Sequence, residues 1–329
     1  MEHMISFTYE GMRWLRNITL SVGMLGYLSL LSGCATTDPF ADLDEWKEIR
    51  SQNFMLYSNA QEQVTIDFLK EFEIFRAIAL KITTIPPFEE TIPVRIYLFK
   101  NPHSFAPFQL SKNTAGYFVQ GKNYIALYAI PFEKNPQFPI IYHEYIHYLI
   151  SKYPARIPDW FNEGLATIFE TFERERDIVT FGNPQFHRWT FMKRHAKWIP
   201  MKEFLSDQVS YHGDGNRFTD AHSQAWALMH YFLFGNRTNM AKLGEYISLL
   251  NNGIDYSNVL LSAFGMTPEE LIQAVKKYVA RDALPYSTLK LDDIAADDRH
   301  HSRSLSEPEA RQILDDLMNV VKAFQETTH

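Results

Sequence analysis

The pentapeptide His143-Glu144-Tyr145-Ile146-His147 sets two imidazoles four residues apart, with a carboxylate beside the first. It lies in an apolar stretch, from Pro139-Ile140-Ile141-Tyr142 to Tyr148-Leu149-Ile150, that reads as a buried helix. Residues four apart on a helix share a face. His143 and His147 can therefore aim one nitrogen each at a single ion. Glu144 is placed to reach a water on that ion rather than the ion itself. The chemistry this permits is metal-assisted hydrolysis. The plain alternative is a pair of histidines making polar contacts in a core helix.

A catalytic zinc usually takes three protein ligands and leaves the fourth position to water. Glu163, in Trp160-Phe161-Asn162-Glu163-Gly164-Leu165-Ala166, is the candidate third ligand. Pro154 and Pro158 in the intervening stretch end one helix and open the next. The second helix is expected from about Asp159 to Phe172, with Asp159 in the first turn, where negative charge is favoured. Two antiparallel helices joined by so short a loop would return Glu163 to the histidine pair. A solvated surface carboxylate is the competing reading of Glu163.

H-E-x-x-H followed by W-F-N-E-G-L-A resembles the gluzincin metallopeptidases, and the second block is similar to that of the aminopeptidase N-type family. The resemblance implies that His143, His147 and Glu163 bind one Zn²⁺ per chain and that Glu144 is the general base. It also implies an α+β, thermolysin-like fold, with the zinc cleft between an N-terminal sheet lobe and a C-terminal helical lobe. Two departures limit the likeness. The aminopeptidase N-type spacing from His to Glu is longer, and its G-x-M-E-N segment for a free amino terminus is missing here, so exopeptidase specificity is not carried over. The whole pattern is closer to a group of little-characterised bacterial gluzincin-like peptidases. The matching segments are Asn53-Phe54-Met55-Leu56-Tyr57-Ser58, Gly116-Tyr117-Phe118 and Gln224-Ala225-Trp226-Ala227-Leu228. The resemblance covers about residues 50–280.

Hydrolysis of an amide also needs a donor for the tetrahedral oxyanion. His222 is the candidate, with Tyr211, His212 and His230 as competitors. Relatives commonly carry a Tyr near this point, so a His is a further departure. Substrate backbone could add to an edge strand near Ala115–Val119, where Gly116 allows close approach or only serves the turn.

The front of the chain reads as a targeting segment. Arg13 and Arg16 precede an apolar run from Ile18 to Leu31, and Leu31-Ser32-Gly33-Cys34 matches a bacterial lipobox. The run is about 14 residues, shorter than the roughly 20 a spanning helix takes. Cys34 is the single cysteine, so no disulfide forms within the chain. The expectation is a signal peptide over residues 1–33, lipidation at Cys34 and a lipid-held protein of the bacterial cell envelope. With Ala35 after the Cys, the resemblance to sorted lipoproteins implies the outer membrane where the cell has two.

The elements that must position these groups follow from periodicity. A tether is expected over 34–50, a peptidase domain over 51–285, and a polar linker with a terminal helix over 286–329. Strands are expected at Asn53–Asn59, Pro93–Phe99, Tyr117–Val119, Tyr124–Tyr128 and Ile178–Phe181, and an irregular Trp- and His-rich stretch after the last of these. Helices are expected at Gln61–Ile82, Asp220–Phe234, Met240–Leu250, Pro268–Arg281 and Ser306–Gln325. The apolar stripe of the last should dock on the main domain. Aromatic content of 15% argues against disorder. A net charge of −7, with no basic run interleaved with aromatics, makes nucleic acid an unsuitable partner. The function expected is zinc-dependent hydrolysis of peptide bonds in a peptide or protein substrate. The alternatives are a non-catalytic zinc-binding lipoprotein and a zinc amidase acting on peptidoglycan, for which Trp189 and Trp198 could be a sugar platform or core.

Overall fold

The computed structural model describes residues 4–8, 40, 43–83, 93–110, 114–119, 124–128, 138–206, 209, 216–235, 239–291 and 299–327. Cys34, Tyr211, His212 and the turn at Gly121-Lys122-Asn123 lie outside them. The protein is mixed α+β, and its contacts divide it into two compact units.

The first unit takes residues 1–70, 90–135 and 298–329. Its centre is a seven-stranded sheet of β1 (Met4–Thr8), β2 (Lys47–Arg50), β3 (Phe54–Ser58), β4 (Val94–Phe99), β5 (Thr114–Val119), β6 (Tyr124–Tyr128) and β10 (His301–Ser304), in the order β1-β5-β6-β4-β3-β2-β10. β4 runs parallel to both β3 and β6, and the other pairs are antiparallel. A parallel neighbour needs a crossover. The chain supplies it as α1 (Glu62–Thr83), whose first turns belong to this unit and whose later turns belong to the second. β4 is apolar on both faces, as a central parallel strand must be: Val94, Ile96 and Leu98 on one, Tyr97 and Phe99 on the other, all buried. The second of these faces is covered by α2 (Pro102–Phe105) and α11 (Glu307–Thr327), through Phe105, Leu314, Leu317 and Val321.

Three expectations change here. The supposed tether ends in a strand, β2, because Ile49 is a core residue. The supposed polar linker carries β9 (Ser287–Lys290) and β10, and β10 brings the terminal helix back onto the sheet, so the sheet unit is not purely N-terminal. β5 is not an edge strand, since β1 and β6 pair on either side of it. Gly116 serves that pairing: a Cβ there would sit 3.0 Å from Leu127 Cβ and 3.2 Å from the Ala126 carbonyl oxygen.

The second unit takes residues 71–89 and 136–297. It holds α3 (Phe138–Ser151), α4 (Asp159–Phe169), a three-stranded sheet of β7 (Glu173–Glu175), β8 (Ile178–Phe181) and β9, and the helices α5 (Phe186–Arg194), α6 (Met201–Leu205), α7 (Asn216–His230), α8 (Asn239–Asn251), α9 (Tyr256–Phe264) and α10 (Pro268–Val279). The stretch expected to be irregular is therefore partly helical, as α5 and α6. α7 runs into a single π turn over Tyr231–Gly235. Among the described residues, no helix is long and apolar enough to cross a membrane.

Candidate metal centre

α3 is held from behind by aromatic packing. Phe75 of α1 stacks on Tyr142 with ring centroids 4.1 Å apart, and Phe72 meets Tyr145 edge-on at 5.6 Å. Phe172 closes the cluster against both Phe75 and Tyr142. Burying Tyr142, Tyr145, Ile146 and Leu149 fixes the rotation of α3, and the arc left over carries His143, Glu144 and His147.

α4 comes back along α3 and brings Glu163 to the pair. His143 Nε2 lies 3.5 Å from Glu163 Oε2, His147 Nε2 lies 3.5 Å from Glu163 Oε1, and the two Nε2 atoms are 3.0 Å apart. All three ligating atoms fall within 4.8 Å of one another. Two ligands each about 2.0–2.1 Å from a tetrahedral ion lie roughly 3.3 Å apart, so the gap suits a first-row cation. These three residues can hold a metal ion.

The far nitrogens of both imidazoles are already engaged. His143 Nδ1 donates to Glu170 Oε1 and His147 Nδ1 donates to Asn162 Oδ1, each at 2.8 Å. That fixes the tautomer with lone pairs on both Nε2 atoms. Two lone pairs facing each other at 3.0 Å need a positive charge between them, either a shared proton or a metal cation. Glu170 is itself held, by Gln185 Nε2 at 2.6 Å and Arg188 Nη2 at 3.1 Å.

The electrostatics follow this geometry. Burial opposes charge on His143, but the carboxylates of Glu163 and Glu170 outweigh it and push the imidazole up to about 10. Burial would raise Glu163, yet His143, His222 and His147 hold it far below the usual carboxylate range. Burial would also raise Glu170, and Arg188 with His143 keeps it down at about 2. The site thus collects a positive charge that a metal ion would supply in place of a proton, so metal uptake and proton release are linked. Glu144 is 3% exposed and its Oε2 makes no hydrogen bond among the described residues. Burial raises its pKa above the usual carboxylate value.

α7 packs against α4 at one glycine. A Cβ on Gly164 would lie 2.6 Å from the Ala225 carbonyl oxygen and 2.8 Å from Met229 Cβ. The close approach puts His222 at the same carboxylate, with its Nε2 3.3 Å from Glu163 Oε2. His230 is not available as an oxyanion donor. It is fully buried, with Nδ1 accepting from the Tyr278 hydroxyl at 2.8 Å and Nε2 donating to the Gly182 carbonyl at 2.9 Å. Trp189 and Trp198 are both half-exposed; the Trp189 indole donates to the Val279 carbonyl, and Lys193 and Lys276 lie over the Trp189 and Trp198 rings.

Sequence reasoning missed Glu170, Gln185 and Arg188. Glu170 caps α4 one residue past its end, a position that only the fold places beside His143. No protein-family model matches the chain, and no curated protein matches it.

Proposed function

We propose that the protein is a zinc-dependent peptidase of the bacterial cell envelope, lipid-anchored at Cys34, with a gluzincin-like arrangement of α3 and α4. One observation carries the reading. His143, His147 and Glu163 converge with both imidazole Nδ1 atoms already hydrogen-bonded, and a buried carboxylate with an unpartnered oxygen, that of Glu144, stands beside them. A structural metal site has no use for that carboxylate.

His143, His147 and Glu163 would hold the zinc, which when bound supplies a Lewis acid that acidifies water and polarises a carbonyl. Glu144 takes a proton from the attacking water and passes it to the leaving nitrogen. Its raised pKa brings it nearer the neutral range where such a shuttle works best. Asn162 and Glu170 keep the two imidazoles turned the right way. His222, beside Glu163, is the donor proposed for the developing oxyanion. The expected cleavage before Cys34 would remove β1 and uncover the outer edge of β5, where an extended substrate could pair.

The test begins with metal content in the soluble chain from Ala35 onward. About one zinc per chain is expected, with markedly less in Glu163→Ala. Glu144→Gln should keep the metal and lose turnover in a peptide-library screen. A folded, zinc-supplemented protein that holds no metal would end the proposal.

A further inference from the structure

The expectation that the chain lacks a basic run interleaved with aromatics fails over residues 186–198. That segment holds Arg188, Lys193, Arg194 and Lys197 and no acid, in a chain whose net charge is −7. Arg188 is taken up by Glu170, while Lys193, Arg194 and Lys197 are exposed. α5, which carries most of the run, ends against the end of α10. The Trp189 indole donates to the Val279 carbonyl at 2.7 Å, and the Lys193 ammonium donates to the Arg281 carbonyl. α10 adds Lys276 and Lys277 in its last turn, and Arg281 follows it. Across residues 276–290 the single acid is Asp282. The two helix ends therefore make one cationic face on a protein that is acidic as a whole.

The same face exposes aromatic rings. Phe186 is 78% exposed and stands two helical turns before Lys193, on the same side of α5. Tyr286 is 51% exposed, five residues past Arg281. Lysine and arginine are attracted to the negative headgroups of a bilayer, and aromatic rings settle at headgroup level. A single-stranded nucleic acid would instead stack its bases on open rings, and here Lys193 and Lys276 lie over Trp189 and Trp198.

We infer that this face of the second unit binds an anionic phospholipid surface. Lys193, Arg194, Lys197, Lys277 and Arg281 meet the headgroups, and Phe186 enters the interface between them. The inference rests neither on the metal centre nor on a lipid at Cys34.

The experiment uses the full chain with Cys34→Ala, which carries no lipid and no other cysteine. Its affinity is measured by co-flotation with vesicles of phosphatidylcholine alone and of phosphatidylcholine mixed with phosphatidylglycerol. The apolar run over residues 18–31 is present in every arm, so the ratio of the two affinities is what is read. A ratio of at least about 100 is expected at about 0.1 M salt, falling steeply at about 1 M, where screening is far shorter in range. Lys277→Gln should lower the ratio about fivefold, the factor that 1 kcal/mol per cation gives. Arg194→Glu, Lys197→Glu and Lys277→Glu together should bring it near one with the thermal midpoint unchanged. Lys322→Glu, an exposed charge on α11, should leave it alone. A polarity-sensitive dye on Phe186→Cys should shift to the blue on the anionic vesicles, which locates the contact without any change of charge. The proposal falls if the parent ratio is near one, if the triple charge reversal leaves it unchanged, if the dye stays in water, or if a thymidine oligonucleotide binds this face more tightly than the vesicles at the same salt.

Discussion

Glu170 offers the sharpest test of the candidate metal centre, because it touches the proposed ligand His143 and none of the atoms that would face the ion. In Glu170→Gln the amide oxygen can still accept from His143 Nδ1 at 2.8 Å, while the amide nitrogen takes the place of the oxygen that accepted from Gln185 and Arg188, so the charge and those two hydrogen bonds are lost together. A hydrogen bond to a charged group is worth about 1.5–3 kcal/mol and a neutral one about 0.5–1.5. The difference, about 1–1.5 kcal/mol, is close to a tenfold loss of zinc affinity, at the lower end of the roughly 10–100-fold that such outer partners typically carry. Arg188 loses its carboxylate partner as well, and Arg188→Gln on the Glu170→Gln background removes that unpaired charge. Competition against a chelator at fixed pH measures the affinity, and the thermal midpoint of the metal-free protein reports any general loosening. Zinc affinity within twofold of the parent, in a protein that still binds through Glu163, would refute the claim that Glu170 tunes His143.

Gly164→Ala should push α7 away from α4 and cost about 1–3 kcal/mol, read as a lowered urea midpoint, because the new methyl meets backbone at 2.6 Å. His222→Phe should lower peptide turnover by about 10²–10³-fold with zinc content unchanged; unchanged turnover would remove His222 from the chemistry. His230 predicts an acid limb in stability. Burial holds its pKa at about 4, below the roughly 6.5 of an unfolded histidine, so only the unfolded chain takes up the proton between those values. Its contribution is complete above about pH 6.5 and is lost as the pH falls toward 4, about 3 kcal/mol in all. Denaturant midpoints from pH 7 to 4 should therefore slope less in His230→Gln than in the parent.

The helices that carry the candidate metal centre were legible from the apolar run around the H-E-x-x-H motif and from the prolines and Asp159 that punctuate the chain before Glu163. α3 is buried on almost every side, Glu144 and His147 included, as an apolar run of this length implies. α10 was legible from its caps, where Thr267 accepts from the Glu270 amide and Glu270 answers. The parts that escaped had no such signal, or one that went unused. β9 and β10 are sheet edges, Ser-Thr-Leu-Lys and His-Ser-Arg-Ser, and an edge strand with little to bury shows no alternation. α5 has no side-chain cap and leaves Phe186 78% exposed, so its pattern is not that of an amphipathic helix. α9 did carry punctuation: Asp255 accepts from the Ser257 amide at its start, and Gly265 ends it with a φ of +67°. The hydrogen bonds that orient the ligands were the least legible, since His143 and Glu170 are 27 residues apart and meet only once α4 is packed.

That packing makes α4 more than the carrier of a third ligand. Consecutive residues of Trp160-Phe161-Asn162-Glu163-Gly164 do unlike things. Trp160 is core, Asn162 fixes the tautomer of His147, Glu163 faces the imidazoles, and Gly164 admits α7. Two turns beyond Glu163, Glu170 fixes the tautomer of His143. The Thr167 hydroxyl donates to the Glu163 carbonyl at 2.8 Å and ties the same helix to itself between them. A surface carboxylate that happened to follow an H-E-x-x-H motif would need none of this. With both histidines oriented from one helix, their Nε2 atoms meet at 3.0 Å, where a proton on His143 or a metal ion supplies the positive charge between them. Removing Glu170 should therefore lower the stability of the metal-free protein, because it takes away the carboxylate that favours the protonated imidazole, and should weaken metal binding as well. A site whose histidines served only the core would show the first effect and not the second.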